Sequence, residues 1–93
     1  MVVGISTIAL TIPESNSLKD KRQVLRSMLD GIHRRFNVAA AEVEHMDLWR
    51  RATIGVAAVS NELKHVDQVL DRVTHWIEEN PRVNILDVQV EFL

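Results

Sequence analysis

Lys19, Lys21, Arg22 and Arg26 crowd one short stretch of the chain. Lys19, Arg22, Arg26 and His33 follow one another at spacings of three, four and seven. On a helix that spacing lays the cations along one flank, where they can neutralise phosphates or another anion beside the positive helix N-terminus. Asp30 lies in the same row, four residues after Arg26, and an ion pair there is worth only about 0.2–0.5 kcal/mol. The same row also reads as an ordinary solvated flank. Trp49-Arg50-Arg51 is the second unusual group. Trp and Arg are over-represented at binding hot spots, so the three residues suit a partner. Equally, Trp49 can fold over a sheet while the arginines pair with Glu42, Glu44 or Asp47, because Trp is seldom left fully exposed.

Other chemistries find little support. His45 and Asp47 lack the third ligand that a divalent-metal site needs, and His33, His65 and His75 show no ligand spacing. Ser15, Ser17, Ser27 and Ser60 have no nucleophile-elbow context. Gly4, Gly31 and Gly55 are isolated, so no glycine-rich phosphate loop exists. The chain has no cysteine, which excludes disulfides, Cys-ligated zinc and thiol catalysis. We expect no enzyme, no metal and no cofactor.

The elements that must carry the basic groups are legible from periodicity. In Ser17–Phe36, Leu18, Leu25, Leu29, Ile32 and Phe36 fall in one sector at about 100° per residue, with Met28 at its edge. Ser17 is a good N-cap, and Asp20 answers it three residues later. Gly31 costs the helix about 1 kcal/mol relative to Ala, yet the apolar face continues past it. Val2–Ile12 is apolar on both alternating faces, as a central strand is. Val38–Glu44 alternates as a half-exposed strand, with Asn37 as the preceding helix C-cap. His45–Arg51 exceeds a tight hairpin turn and either protrudes or extends the strands it joins. Ala52–Ser60 is a second central strand, and Ser60 or Asn61 caps a second helix. There Leu63, Val66, Leu70, Val73 and Ile77 repeat at three and four, opposite Asp67, Asp71 and Glu78. Asn80-Pro81 ends that helix. In Asn84–Phe92, Leu86, Val88, Val90 and Phe92 alternate inward against Asp87, Gln89 and Glu91.

The order βαββαβ predicts an α+β, ferredoxin-like split-βαβ sandwich. Its four-stranded antiparallel sheet carries both helices on one face, with strands 1 and 3 central. The whole chain, residues 1–93, forms one domain on this reading. One sheet face is then left uncovered while strands 1 and 3 are apolar on both faces. An apolar face of that kind marks an interface, and homodimerisation is the leading explanation. RNA-recognition domains of this topology stack bases on aromatics of strands 1 and 3. Here the aromatics are Phe36, Trp49, Trp76 and Phe92, none of them on those strands, which argues against that mode.

The net charge of −2 argues against nucleic-acid binding through overall charge. Its distribution is uneven. Ser17–Phe36 holds six basic residues (Lys19, Lys21, Arg22, Arg26, Arg34, Arg35) against Asp20 and Asp30. Asn61–Leu93 holds Lys64, Arg72 and Arg82 against seven acids. The molecule is therefore dipolar. The opening run MVVGISTIALTI has no basic leader, is broken by Gly4, Ser6 and Thr7, and is too short to span a bilayer. We expect a cytoplasmic protein with no membrane partner.

Ser17-Leu18-Lys19-Asp20-Lys21-Arg22, Arg35-Phe36-Asn37-Val38, Ala41-Glu42-Val43, Asp47-Leu48-Trp49-Arg50-Arg51-Ala52 and Gly55 resemble the YlxP-like family of small bacterial proteins. The resemblance covers nearly the whole chain, and SLKDKR and DLWRRA are its specific stretches. It implies a ferredoxin-like fold and supplies no catalytic residues. Members are often encoded beside translation and ribosome-maturation factors, which implies a role with RNA or a ribosome-associated particle. The leading expectation is thus a non-enzymatic accessory protein that binds RNA through Lys19, Lys21, Arg22 and Arg26, with Arg50, Arg51 and Trp49 adding contacts. The alternative is a protein-interaction or homodimerisation module without nucleic-acid contact. In it the basic stripe meets Asp67, Asp71 and Glu78 within a chain or across a dimer.

Overall fold

The computed structural model describes Met1–Leu93. Its elements are β1 (Val2–Thr11), α1 (Leu18–Arg35), β2 (Ala39–Glu44), β3 (Arg51–Ser60), α2 (Leu63–Glu78) and β4 (Asn84–Phe92). The strands form one antiparallel sheet in the order β2-β3-β1-β4. This is the α+β ferredoxin-like arrangement that the βαββαβ order predicts.

Register decides which residues reach the core. Ile8 pairs with Ile54 and Leu10 with Ala52. The even-numbered residues of the two central strands therefore share one face. Ile8, Leu10, Ala52, Ile54, Val56 and Ala58 are buried there beneath Leu25, Met28 and Ile32 of α1 and Val66, Leu70, Val73 and Ile77 of α2. The opposite face presents Val3, Ile5 and Ala9 from β1 and Gly55, Ala57 and Val59 from β3. Val59 is 61% exposed, so this apolar face lies open.

Four local expectations change. The C-cap of α1 is Phe36, whose amide donates to the Ile32 carbonyl at 2.9 Å, and not Asn37. The buried face of α1 is Lys21, Leu25, Met28, Gly31 and Ile32, while Leu18, Leu29 and Phe36 are only half-buried. The helix is rotated so that Lys21 enters the core stripe. In β4 a register shift between the partners of Ala9 and Leu10 makes Ile85, not Leu86, the residue beside Leu10. An extra residue in a strand turns its neighbours over, and Leu86 is consequently exposed. At α2 the N-cap is Glu62, without a side-chain cap bond; the Ser60 hydroxyl instead accepts from the Glu62 amide at 3.3 Å.

Gly31 has a packing reason. A β-carbon there would collide with the indole of Trp76. The missing side chain lets α2 lay that ring against α1, where it meets Phe36 edge-on at 6.5 Å between centroids. The Arg35 guanidinium covers the same ring at 5.3 Å, within cation–π range.

Candidate functional site

The basic residues divide into two structural roles. Lys21 and Arg50 are consumed by the fold; Lys19, Arg22, Arg26 and Arg51 are not.

Lys21 is 1% exposed. Its ammonium donates to the carbonyls of His45 at 2.9 Å, Met46 at 3.3 Å and Arg51 at 3.1 Å. It also forms an ion pair at 2.8 Å with Glu42 Oε2, a buried oxygen without a hydrogen-bond partner. A buried cation survives only when its charge and its donors are answered. Here α1 supplies the cation, while β2 and the β2–β3 connection supply the acceptors. The expectation of Lys21 as a phosphate contact is corrected on this point: a fully enclosed ammonium cannot meet an external anion. The signal was present in the sequence. Lys21 stands four before Leu25 and seven before Met28, on the core stripe, and Glu42 follows Ala40 on the inward alternation of β2.

Arg50 is tied down as well. Its Nε donates to the Ser15 carbonyl at 2.9 Å and its Nη2 to Asn16 Oδ1 at 3.1 Å. These bonds fasten the β2–β3 connection to the loop before α1. That loop is itself ordered by local caps: Asp20 N donates to Ser17 Oγ at 3.0 Å, and Asn16 N donates to Asp20 Oδ2 at 3.0 Å. Arg50 is therefore a bridge between two loops, although its side chain remains at the surface. Neither Arg50 nor Arg51 pairs with Glu42, Glu44 or Asp47.

His45 begins the connection in the left-handed region, with φ of 64°, a conformation that non-glycine residues adopt seldom. Its Nδ1 shares a hydrogen bond of 2.8 Å with Thr53 Oγ1. Between the two fastened ends, Met46, Leu48 and Trp49 are about half exposed, Trp49 at 54%. Trp49 is thus not enclosed by the fold.

Lys19, Arg22, Arg26 and His33 are exposed on α1. Ion pairs within 4.0 Å are confined to Lys21–Glu42 and His75–Asp71. The row is thus free of Asp30, and free of Asp67, Asp71 and Glu78 on α2; pairing of the two stripes within a chain does not occur. Arg22, Arg26 and His33 flank a shallow groove toward β2, with Leu25, Leu29, Asp30 and Glu42. Lys19 and Arg22 are next-but-one and next neighbours of Lys21, whose ammonium touches the Arg51 carbonyl. Arg51 is exposed at the start of β3.

No three His, Asp or Glu side chains converge in a way that could hold a metal ion. No helix is long and apolar enough to cross a membrane.

The family model described as "Protein of unknown function (DUF503)" matches residues 3–90. A protein of Bacillus subtilis (strain 168), described as uncharacterized protein YlxP, is 33% identical over 82 residues, covering 88% of this chain and 89% of the relative.

Proposed function

For this chain, which belongs to the DUF503, YlxP-like family of proteins of unknown function, we propose a non-enzymatic accessory role in which it binds RNA or a ribonucleoprotein. The observation that carries this reading is the free cationic row of Lys19, Arg22 and Arg26, exposed and without a carboxylate partner. Four cations with no internal partner, these three and Arg51, suit a polyanion whose phosphates release counterions on binding. The overall charge of −2 makes the attraction local: α1 draws the anion in, and the acidic second half of the chain repels it.

The test is binding of nuclease-treated protein to structured ribosomal RNA, compared with the variant K19E/R22E/R26E. All three positions are exposed, so the variant keeps its fold, which circular dichroism verifies. Loss of binding supports the reading, and undiminished binding removes α1 from it.

A second reading rests on the open sheet face. Val59 and Val43 are 61% and 47% exposed there, and Ile5, Ala39, Ala41, Gly55 and Ala57 adjoin Val43 in a shallow apolar depression. Small side chains make this surface flat, which fits a second copy stacking sheet to sheet at about 10 Å. Light scattering across a concentration series tests it: a mass twice that of the 10.6 kDa chain supports a dimer, and a constant monomer mass contradicts one.

A further inference from the structure

We propose that the groove between α1 and the free edge of β2 receives an extended acidic polypeptide segment, which adds to the sheet as a further strand. This ligand is not the RNA of the reading above. It shares Arg22 and Arg26 with that RNA, so the two exclude each other.

The strand edge is the first observation. β2 and β4 are the outer strands of the sheet. An outer strand offers unpaired amides and carbonyls to another chain unless charges, proline or a bulge guard it. On β4, Asp87 and Glu91 are spread along the strand and a register shift interrupts it. β2 carries its charges and its register shift at one end only. Its regular run, Ala39–Glu42, pairs with Ile54–Ala57 of β3, and no backbone bond outside the sheet reaches that run. Ala39 and Ala41 are exposed and Ala40 is half-buried, so only small side chains flank the backbone there.

The groove above this edge supplies the charge. Gly31 faces α2, where Trp76 fills the space. Arg22, Arg26 and His33 stand on the opposite flank of α1 and share one groove with Leu25, Leu29 and Glu42. Arg34 lines a separate groove with Trp76, and Arg35 covers that indole; Lys64 and Arg72 belong to α2. The Glu42 carboxylate is answered by Lys21. Asp30, toward the His33 end, is the unpaired acid of the groove.

Spacing selects the ligand. Arg22 and Arg26 are four residues apart on a helix, about 6 Å along its axis. Alternate residues of a strand are about 6.8 Å apart and point to the same side. Carboxylates two residues apart on an added strand therefore meet both guanidiniums in step. The next inward residue falls at Leu29 and Asp30, where an apolar side chain fits and a third carboxylate is repelled. The Lys21–Glu42 pair places the start of α1 over the end of β2. A segment antiparallel to β2 thus reads acidic-x-acidic-x-apolar from its N-terminus. Main-chain bonds to the edge supply affinity and the alternate side chains supply specificity, as in other strand additions.

The probe is the fluorescein-labelled peptide Thr-Glu-Thr-Glu-Thr-Val-Thr, titrated by anisotropy against the parent protein and R22E/R26E, whose two positions are both exposed. Three further peptides accompany it: one with Lys in place of both Glu, one N-methylated at the Thr residues, and one N-methylated at the Glu and Val residues. The parent binds the acidic peptide and not the lysine peptide, and R22E/R26E reverses that preference. One of the two N-methylated peptides binds about tenfold or more weakly while the other keeps its affinity, because only alternate amides face a neighbouring strand. No binding of the acidic peptide by the parent overturns the proposal. So does equal binding of the unmodified and both N-methylated peptides, which shows association by charge without the strand edge. RNA enters none of these readouts, so the RNA reading and the peptide groove stand or fall separately.

Discussion

The Lys21 ammonium lies 2.8 Å from Glu42 Oε2 and joins α1 to β2 inside the molecule. Three backbone carbonyls complete its environment. Breaking a buried pair by removing one partner costs about 3–5 kcal/mol; Glu42 retains 20% of its side-chain exposure, which puts this case near the lower end. We expect Lys21→Met to destabilise the protein by about 3 kcal/mol in urea unfolding. Lys19→Met and Arg22→Met, its exposed neighbours, change stability by no more than about 0.5 kcal/mol. Equal effects at the three positions would contradict the division between structural and free cations.

Gly31→Ala removes an unfavourable helix residue, worth about 1 kcal/mol by propensity alone. The collision with Trp76 reverses that sign, and overpacking of this kind costs about 1–3 kcal/mol. Gly31→Ala therefore lowers the melting temperature in the parent and raises it in a Trp76→Ala background. A double-mutant cycle measures the coupling. The same sign in both backgrounds would show that the indole is not the obstacle.

Arg50→Ala removes the two bonds to Ser15 and Asn16. Partly exposed hydrogen bonds contribute about 1 kcal/mol net, so global stability falls modestly. The larger effect is local: amide hydrogen exchange of residues 45–50 and 13–17 accelerates while the central strands keep their protection. Unchanged exchange in both loops would mean that Arg50 does not fasten them.

Much of this architecture is legible in the residue pattern, because it depends on local periodicity. Val2–Thr11 and Arg51–Ser60 are central strands, as their two-faced apolar character predicts. Ser17 caps α1 through its hydroxyl, as its position before the apolar repeat predicts. What the pattern does not carry is long-range compensation. The acceptors of Lys21 lie 24, 25 and 30 residues away, and Arg50 reaches back 35 residues to Ser15. Lys21 is marked only by its place on the stripe of Leu25 and Met28, and nothing local distinguishes Arg50 from Lys19, Arg22 or Arg51. A seven-residue list of candidate anion contacts therefore separates, in the folded chain, into two cations that build the site and five residues that face outward. Leu86 fails for a related reason, since a one-residue bulge inverts strand alternation without leaving a sequence mark.

The salt dependence of RNA affinity tests the central claim most directly. Four phosphate contacts on a single strand, from Lys19, Arg22, Arg26 and Arg51, predict that log K falls with log salt at a slope of about −3. Anisotropy titrations of the purified, nuclease-treated protein across a salt series measure that slope. A value near −3, falling to about −0.7 in K19E/R22E/R26E, where Arg51 alone of the four remains, is the predicted result. The contrary result is no RNA binding even at low salt, or binding whose affinity does not change with salt; either one denies α1 its role as a phosphate track.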